Sequence, residues 1–298
     1  MPHFIKKLTL LALFSLSIKS YGFSRIHDYE TTRLKSTSGA GVGSVLLEEA
    51  AILNPASISF FNQSSIYASK TSGEFTAKEN SPELPEKKDL GIIISDSNPT
   101  MSGTAHYITT EEGYSERKRY GLTLSGIIGK KSAMGFSYRK TTDTIGSSAT
   151  VKTETKYQQM TAGVLHIVDP QLTFGAIIID PFKANPKESK AYIGFQYNFM
   201  APIALIGDMG SKWDEDLSGN LVYRGALQFT AFNDFFIRVG MFNDKGNNER
   251  GNSIGAAWVQ PRLSLDFAIK NTKVLANAVK LQKAYDLKET TFGLSLRF

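Results

Sequence analysis

Apolar and polar positions alternate with a period of two along most of this chain. Leu221, Tyr223, Leu227 and Phe229 fall on one side of their segment, and Arg224, Ala226, Gln228 and Thr230 on the other. Leu263, Leu265, Phe267 and Ile269 oppose Ser264, Asp266, Ala268 and Lys270, while Ile193, Phe195, Tyr197 and Phe199 oppose Gly194, Gln196 and Asn198. A pleated strand sends successive side chains to opposite faces, so each run predicts a strand with one greasy face and one small or polar face. The chain closes in the same way: Phe292, Leu294, Leu296 and Phe298 share a face, Gly293 and Arg297 lie on the other, and no polar tail follows. An ending of this kind reads as a signal for barrel-assembly machinery as well as a strand.

Extended segments are predicted at 64–72, 90–96, 102–110, 116–128, 131–141, 153–167, 170–180, 189–199, 202–212, 219–231, 234–243, 249–260, 262–271 and 287–298. About fourteen antiparallel strands fall in the even-numbered series of bacterial outer-membrane barrels, which show lipid one face and the lumen the other. The predicted fold class is therefore all-β, a transmembrane antiparallel β-barrel. Short links rich in Pro, Asn and Asp, at 97–100, 129–130, 169–170, 200–202, 233–234 and 260–261, alternate with longer polar stretches at 73–89, 111–115, 142–152, 181–188, 213–218, 244–248 and 272–286. Barrels of this class pair short periplasmic turns with longer outside loops. Both termini are then expected on the periplasmic side. Val274, Ala278, Leu281 and Tyr285 recur at helical spacing and predict a lid helix over the mouth.

Residues 1–22 carry Lys6 and Lys7 before an apolar stretch, Leu8–Ile18, and small residues at Ser20-Tyr21-Gly22, the pattern of a signal peptide. The stretch is too short for a spanning helix, which needs about 20 residues. With it go Lys6, Lys7 and Lys19, which brings the formal charge from +6 to +3. Cysteine is absent, which excludes disulfides, thiolate metal sites and a cysteine nucleophile. The twenty-five glycines and the aromatic residues suit turns, crowded lumens and membrane-interface belts.

Fifteen cations, Arg117, Lys118, Arg119, Arg139, Lys140, Lys152, Lys156, Lys183, Lys187, Lys190, Lys212, Arg250, Lys270, Lys273 and Lys288, sit near the outside ends of the predicted strands. There they would meet lipopolysaccharide phosphates, or simply bracket the apolar band. They form no single patch with stacking aromatics, so no nucleic-acid partner is expected.

Residues 23–63 form more chain than a barrel needs to begin, and they are candidates for a segment inside the lumen. They hold Gly39, Gly41 and Gly43, then Glu48-Glu49-Ala50, then Asn54-Pro55-Ala56. This arrangement resembles the FadL-like family of outer-membrane long-chain fatty-acid transporters, with glutamates in the acidic-Ala element where aspartates are usual. The resemblance implies a fourteen-stranded barrel whose glycine-rich lead and Asn-Pro-Ala element fold as a lumenal hatch. The organisation expected is a signal peptide at 1–22, a hatch at 23–63 and a barrel at 64–298. An ordinary Asx turn at Asn54-Pro55 is the alternative reading. The outside loops are too short for the large cap that captures fatty acids in the best-known members.

Scattered His3, His27, His106 and His166 give no metal-ligand spacing, and no cofactor is expected. Gly39-x-Gly41-x-Gly43 lacks a dinucleotide context. Trp213-Asp214-Glu215-Asp216 is a solvated acidic tip or a weak Ca²⁺ site. Lumen-facing Arg224, Arg238, Asp266, Lys270 and Arg297 are expected to pair across the interior or to bind a carboxylate. No Ser–His pair falls on neighbouring predicted strand ends, so no enzyme activity is expected. The function implied is passive uptake of a hydrophobic ligand such as a fatty acid across the outer membrane of a Gram-negative cell. The alternatives are a scaffold or secretion-assembly barrel, and a general porin.

Overall fold

The computed structural model describes residues 26–77, 86–98, 100–146, 151–200, 202–212, 215–277 and 284–298. The predicted signal peptide and the Trp213-Asp214 pair lie outside these residues. Fourteen strands form one closed ring: β1 (Ser64–Ala77), β2 (Lys87–Ser97), β3 (Ser102–Glu112), β4 (Ser115–Ile127), β5 (Ser132–Gly146), β6 (Lys152–Ile167), β7 (Leu172–Ile179), β8 (Lys190–Met200), β9 (Ile203–Ser211), β10 (Val222–Ala231), β11 (Phe235–Asp244), β12 (Glu249–Val259), β13 (Leu263–Val274) and β14 (Tyr285–Arg297). Each strand pairs antiparallel with its sequence neighbours, and β1 closes on β14 from Ser65↔Arg297 to Ala77↔Tyr285. Closure removes every edge, so each strand satisfies its backbone on both sides without water.

The wall inverts the usual order of a globular protein. In β4, Tyr120, Leu122 and Leu124 are exposed on the outside while Arg117, Arg119, Thr123 and Ser125 are buried on the inside. In β2, Leu90, Ile92 and Ile94 face out, and Lys87, Asp89, Ser95 and Ser97 face in. Such a cylinder suits a lipid surround. No helix among the described residues is long and apolar enough to cross a membrane.

Several boundaries differ from expectation, mostly because strands run further toward the long-loop end. The first continues to Ala77, since Thr71 and Phe75 keep the inward parity through the expected loop. At the β3–β4 link only Gly113 and Tyr114 remain, so the expected alternation of short and long connections fails there. Gly113, at φ 62, supplies the left-handed conformation this tight reversal needs. Val274 and Tyr285 are paired strand residues rather than parts of a lid helix; Ala278 and Leu281 lie outside the described residues.

Ahead of the first strand, residues 26–63 hold a short helix, Thr32–Ser36, and two 3-10 segments, Glu48–Ala51 and Pro55–Phe60. Thr31 caps the helix, its hydroxyl oxygen accepting the Leu34 N–H. Leu34, Val42, Leu46 and Leu53 from this segment pack with the wall residues Ile177, Tyr192 and Val222, so a principal apolar core lies inside the ring.

Candidate functional site: the barrel interior

The leading segment hydrogen-bonds to the wall on every side. Tyr29 reaches Ser69 of β1, Ser59 reaches Ser125 of β4, Asn54 donates to the Val164 carbonyl of β6, and Ser38 meets Ser253 of β12. On β9, Asp208 accepts the N–H groups of Gly41 and Val42 at 2.8 and 3.1 Å. Chain that touches opposite walls of a closed ring lies within it.

Small residues make this contact close. An added Cβ at Gly135 or Gly163 would meet Pro55, at Gly175 the Val42 carbonyl, and at Gly194 the Asp208 carboxylate. Gly43 rests on the Gly194 backbone, and Gly39 and Gly41 take φ values of 83 and 155 that favour glycine. Asn54 organises its own turn by accepting the Ala56 N–H, with Pro55 at the first helical position, and donates to the Val42 carbonyl at 2.8 Å. Asn54 thus forms the Asx turn and touches the wall at once.

The two glutamates have different surroundings. Glu48 accepts from Ser295 of β14 and lies 3.7 Å from Arg297. Glu49 accepts the Thr31 hydroxyl, and its second oxygen has no hydrogen-bond partner among the described residues. Burial, then the neighbouring Glu48, push its carboxyl above the usual range.

Toward the long-loop end the interior is densely charged. Lys35 and Lys87 share Asp89 and Glu289, and Lys87 also faces Glu112, which accepts from His27. Lys270 donates to Glu30 at 2.6 Å. Burial works against the Glu30 charge, but Lys270 and then Lys35 hold its carboxyl below the usual range. Arg224 donates to the Gly39 carbonyl, and Arg238 pairs with Asp266 at 3.1 Å. All five lumen-facing residues singled out in the sequence thus face inward. His27 and Asp28 lie beside Glu112 and Arg117, at the long-loop end, so the described chain starts opposite the end that carries Phe298. The expectation of both termini on one side does not hold for the described chain, because the leading segment threads the lumen from end to end.

The fold compares with known structures. The toluene transporter TodX of Pseudomonas putida matches at a TM-score of 0.69 and 10% identity, over 92% of this chain and 99% of that one. A Pseudomonas aeruginosa FadL homologue matches at 0.58 and 13%, over 93% and 99%, and the CymD monoaromatic hydrocarbon channel at 0.67 and 10%, over 89% and 96%. The fold is that of the FadL-type barrel. No family model and no curated protein matches the sequence.

In this FadL-type barrel the arginines bring a correction. Arg117, Arg119 and Arg139 do not face an outer leaflet; their odd-numbered parity turns them inward. They converge on one loop carboxylate, Glu188, at 3.0, 2.9 and 3.3 Å. Lys190 pairs with Asp244, and Lys270 with Glu30, also inside the ring. Nothing in the sequence pairs Glu188 with residues so distant, although the parity of Arg117 and Arg119 against Tyr120 and Leu122 was readable. Beneath these arginines is a cavity of about 340 Å³, floored by apolar residues including Leu53, Ile108 and Ile179.

At the short-turn rim, Ser132 and His166 form a 2.8 Å hydrogen bond that sequence reading did not bring together. No carboxylate hydrogen-bonds this histidine among the described residues, nor does any group of three acidic or histidine side chains stand ready for a metal. Phe292, Leu294, Leu296 and Phe298 turn outward and Gly293 inward.

Proposed function

We propose that this chain is a FadL-like outer-membrane channel of a Gram-negative cell, which passes hydrophobic small molecules inward without energy input. Residues 23–63 act as its hatch and 64–298 as its barrel. The observation that carries the reading is a lumen filled by its own leading segment inside a wall of the type used by hydrocarbon channels. A filled lumen cannot serve as an open sieve, and a segment that shifts against the wall can release a ligand. Fatty acids are one candidate cargo; the hydrocarbons named for the similar channels are another.

The remaining outward cations at the long-loop end, such as Lys118, Lys140, Lys156, Lys273 and Lys288, would meet lipopolysaccharide phosphates. The outward aromatic face of β14 would be read by the barrel-assembly machinery.

Uptake tests the function. Cells lacking their own channel of this kind, and expressing this chain, should accumulate a radiolabelled alkylbenzene or fatty acid at low concentration faster than cells with an empty vector. Deleting residues 39–57 should change that rate. Equal uptake in all three strains would contradict the proposal.

A further inference from the structure

Three guanidinium groups, from Arg117, Arg119 and Arg139, converge on the single carboxylate of Glu188. This residue belongs to the β7–β8 loop, which folds into the mouth because Asp180 accepts the N–H groups of Ala184 and Asn185 and the Gln159 amide. Besides the three guanidinium groups, Glu188 accepts the Tyr157 hydroxyl at 3.1 Å. Burial opposes its charge, while Arg119, Arg117 and Arg139 hold its carboxyl below the usual range.

A second observation lies one strand away. His106 is 6% exposed on the cavity wall, and neither ring nitrogen has a hydrogen-bond partner among the described residues. It registers with Gly121, which registers with Arg139, and Gly121 leaves room for the imidazole. A buried imidazole with both nitrogens idle is costly unless something else fills its bonds.

We propose that Arg117, Arg119 and Arg139, with His106 beside them, form a lumenal site for a compact organic carboxylate with an apolar body, and that Glu188 occupies it as an internal stand-in which the ligand displaces. This deepens, and rests on, the channel reading above. Without Glu188, the three guanidinium groups keep only Asp143 and Asp28 as anionic partners among the described residues, so the site carries an excess positive charge that one monoanion neutralises. Guanidinium forks match carboxylate geometry, which a neutral hydrocarbon does not use. The adjoining cavity of about 340 Å³ lies at the small end of ligand sites and takes one aromatic ring or a short chain.

Calorimetric titration of the purified, detergent-folded protein tests the site without transport. 4-Phenylbutyrate should bind about tenfold more tightly than its neutral amide, a margin set by the charge-assisted contacts. Glu188→Gln should tighten the carboxylate by about a further tenfold and leave the amide unchanged. Equal affinities, or weaker carboxylate binding by E188Q, would overturn the proposal. In the native protein, saturating 4-phenylbutyrate should speed hydrogen exchange across residues 181–189; unchanged or slower exchange would overturn it whether or not the variant folds. Lost hydrocarbon uptake with intact binding sinks the channel reading alone. Absent binding with intact hydrocarbon uptake sinks this site alone.

Discussion

The carboxylate of Asp208, on the inner face of β9, accepts the main-chain N–H of Gly41 at 2.8 Å and so ties the wall to the segment that fills it. Because Val42 donates to the same carboxylate, two orphan donors of an irregular stretch are satisfied by one buried charge. Asp208→Ala leaves both unpaired and should weaken the anchoring by about 2 kcal/mol. Hydrogen exchange at residues 39–46 should rise severalfold in this variant; unchanged protection would show that the contact does not hold the segment.

Close approach at Gly43 gives a second expectation. A Cβ there would come within 2.5 Å of the Gly194 carbonyl oxygen, a backbone atom that cannot swing aside. Gly43→Ala should lower thermal stability by about 1–3 kcal/mol or displace the segment. Gly225→Ala, whose Cβ meets nothing within 4 Å, is the control and should stay within about 0.5 kcal/mol. Thermal unfolding of both purified variants checks the contrast.

Much of this was legible in the sequence, and the limits have physical causes. Period-two alternation at Tyr223, Leu227 and Phe229 marks a lipid face because only that side must be apolar, and Asn54-Pro55 marks its turn because the signal is local. Arg117 and Arg119 lie near a strand end, where charge suits either face, yet their parity puts them on the inward face of the barrel, where polar groups belong. The partnership of Glu188 with three strands, and the end-to-end path of residues 26–63, depend on contacts between distant segments that no local pattern encodes.

Acid should loosen the mouth. The folded protein holds the Glu30 and Glu188 carboxyls below the ordinary glutamate value of 4.5, so it binds fewer protons there than the unfolded chain. Their stabilisation is full above that value and is lost as pH falls through the depressed folded values. Glu49 has the opposite sign: its raised carboxyl favours the folded segment at low pH and opposes it as pH rises through the raised value. Hydrogen exchange at residues 180–189, corrected for its intrinsic pH dependence, should stay flat from about pH 7 to 5 and accelerate below about 4.5. Acceleration already above pH 5 would contradict the assignment.

The central claim is that the leading segment must move for a hydrophobic ligand to pass. Ser38 and Ser253 place their hydroxyl oxygens 2.8 Å apart across the segment–wall contact, and the chain holds no cysteine to interfere. A Ser38→Cys/Ser253→Cys variant can therefore be locked by oxidation and released by reduction, since sulfurs bond at about 2.05 Å. The decisive measurement is cellular uptake of a radiolabelled apolar compound by this variant in its two redox states. Uptake should fall to the empty-vector rate when oxidised and recover when reduced, whereas uptake at the reduced rate with the lock fully formed would contradict the account.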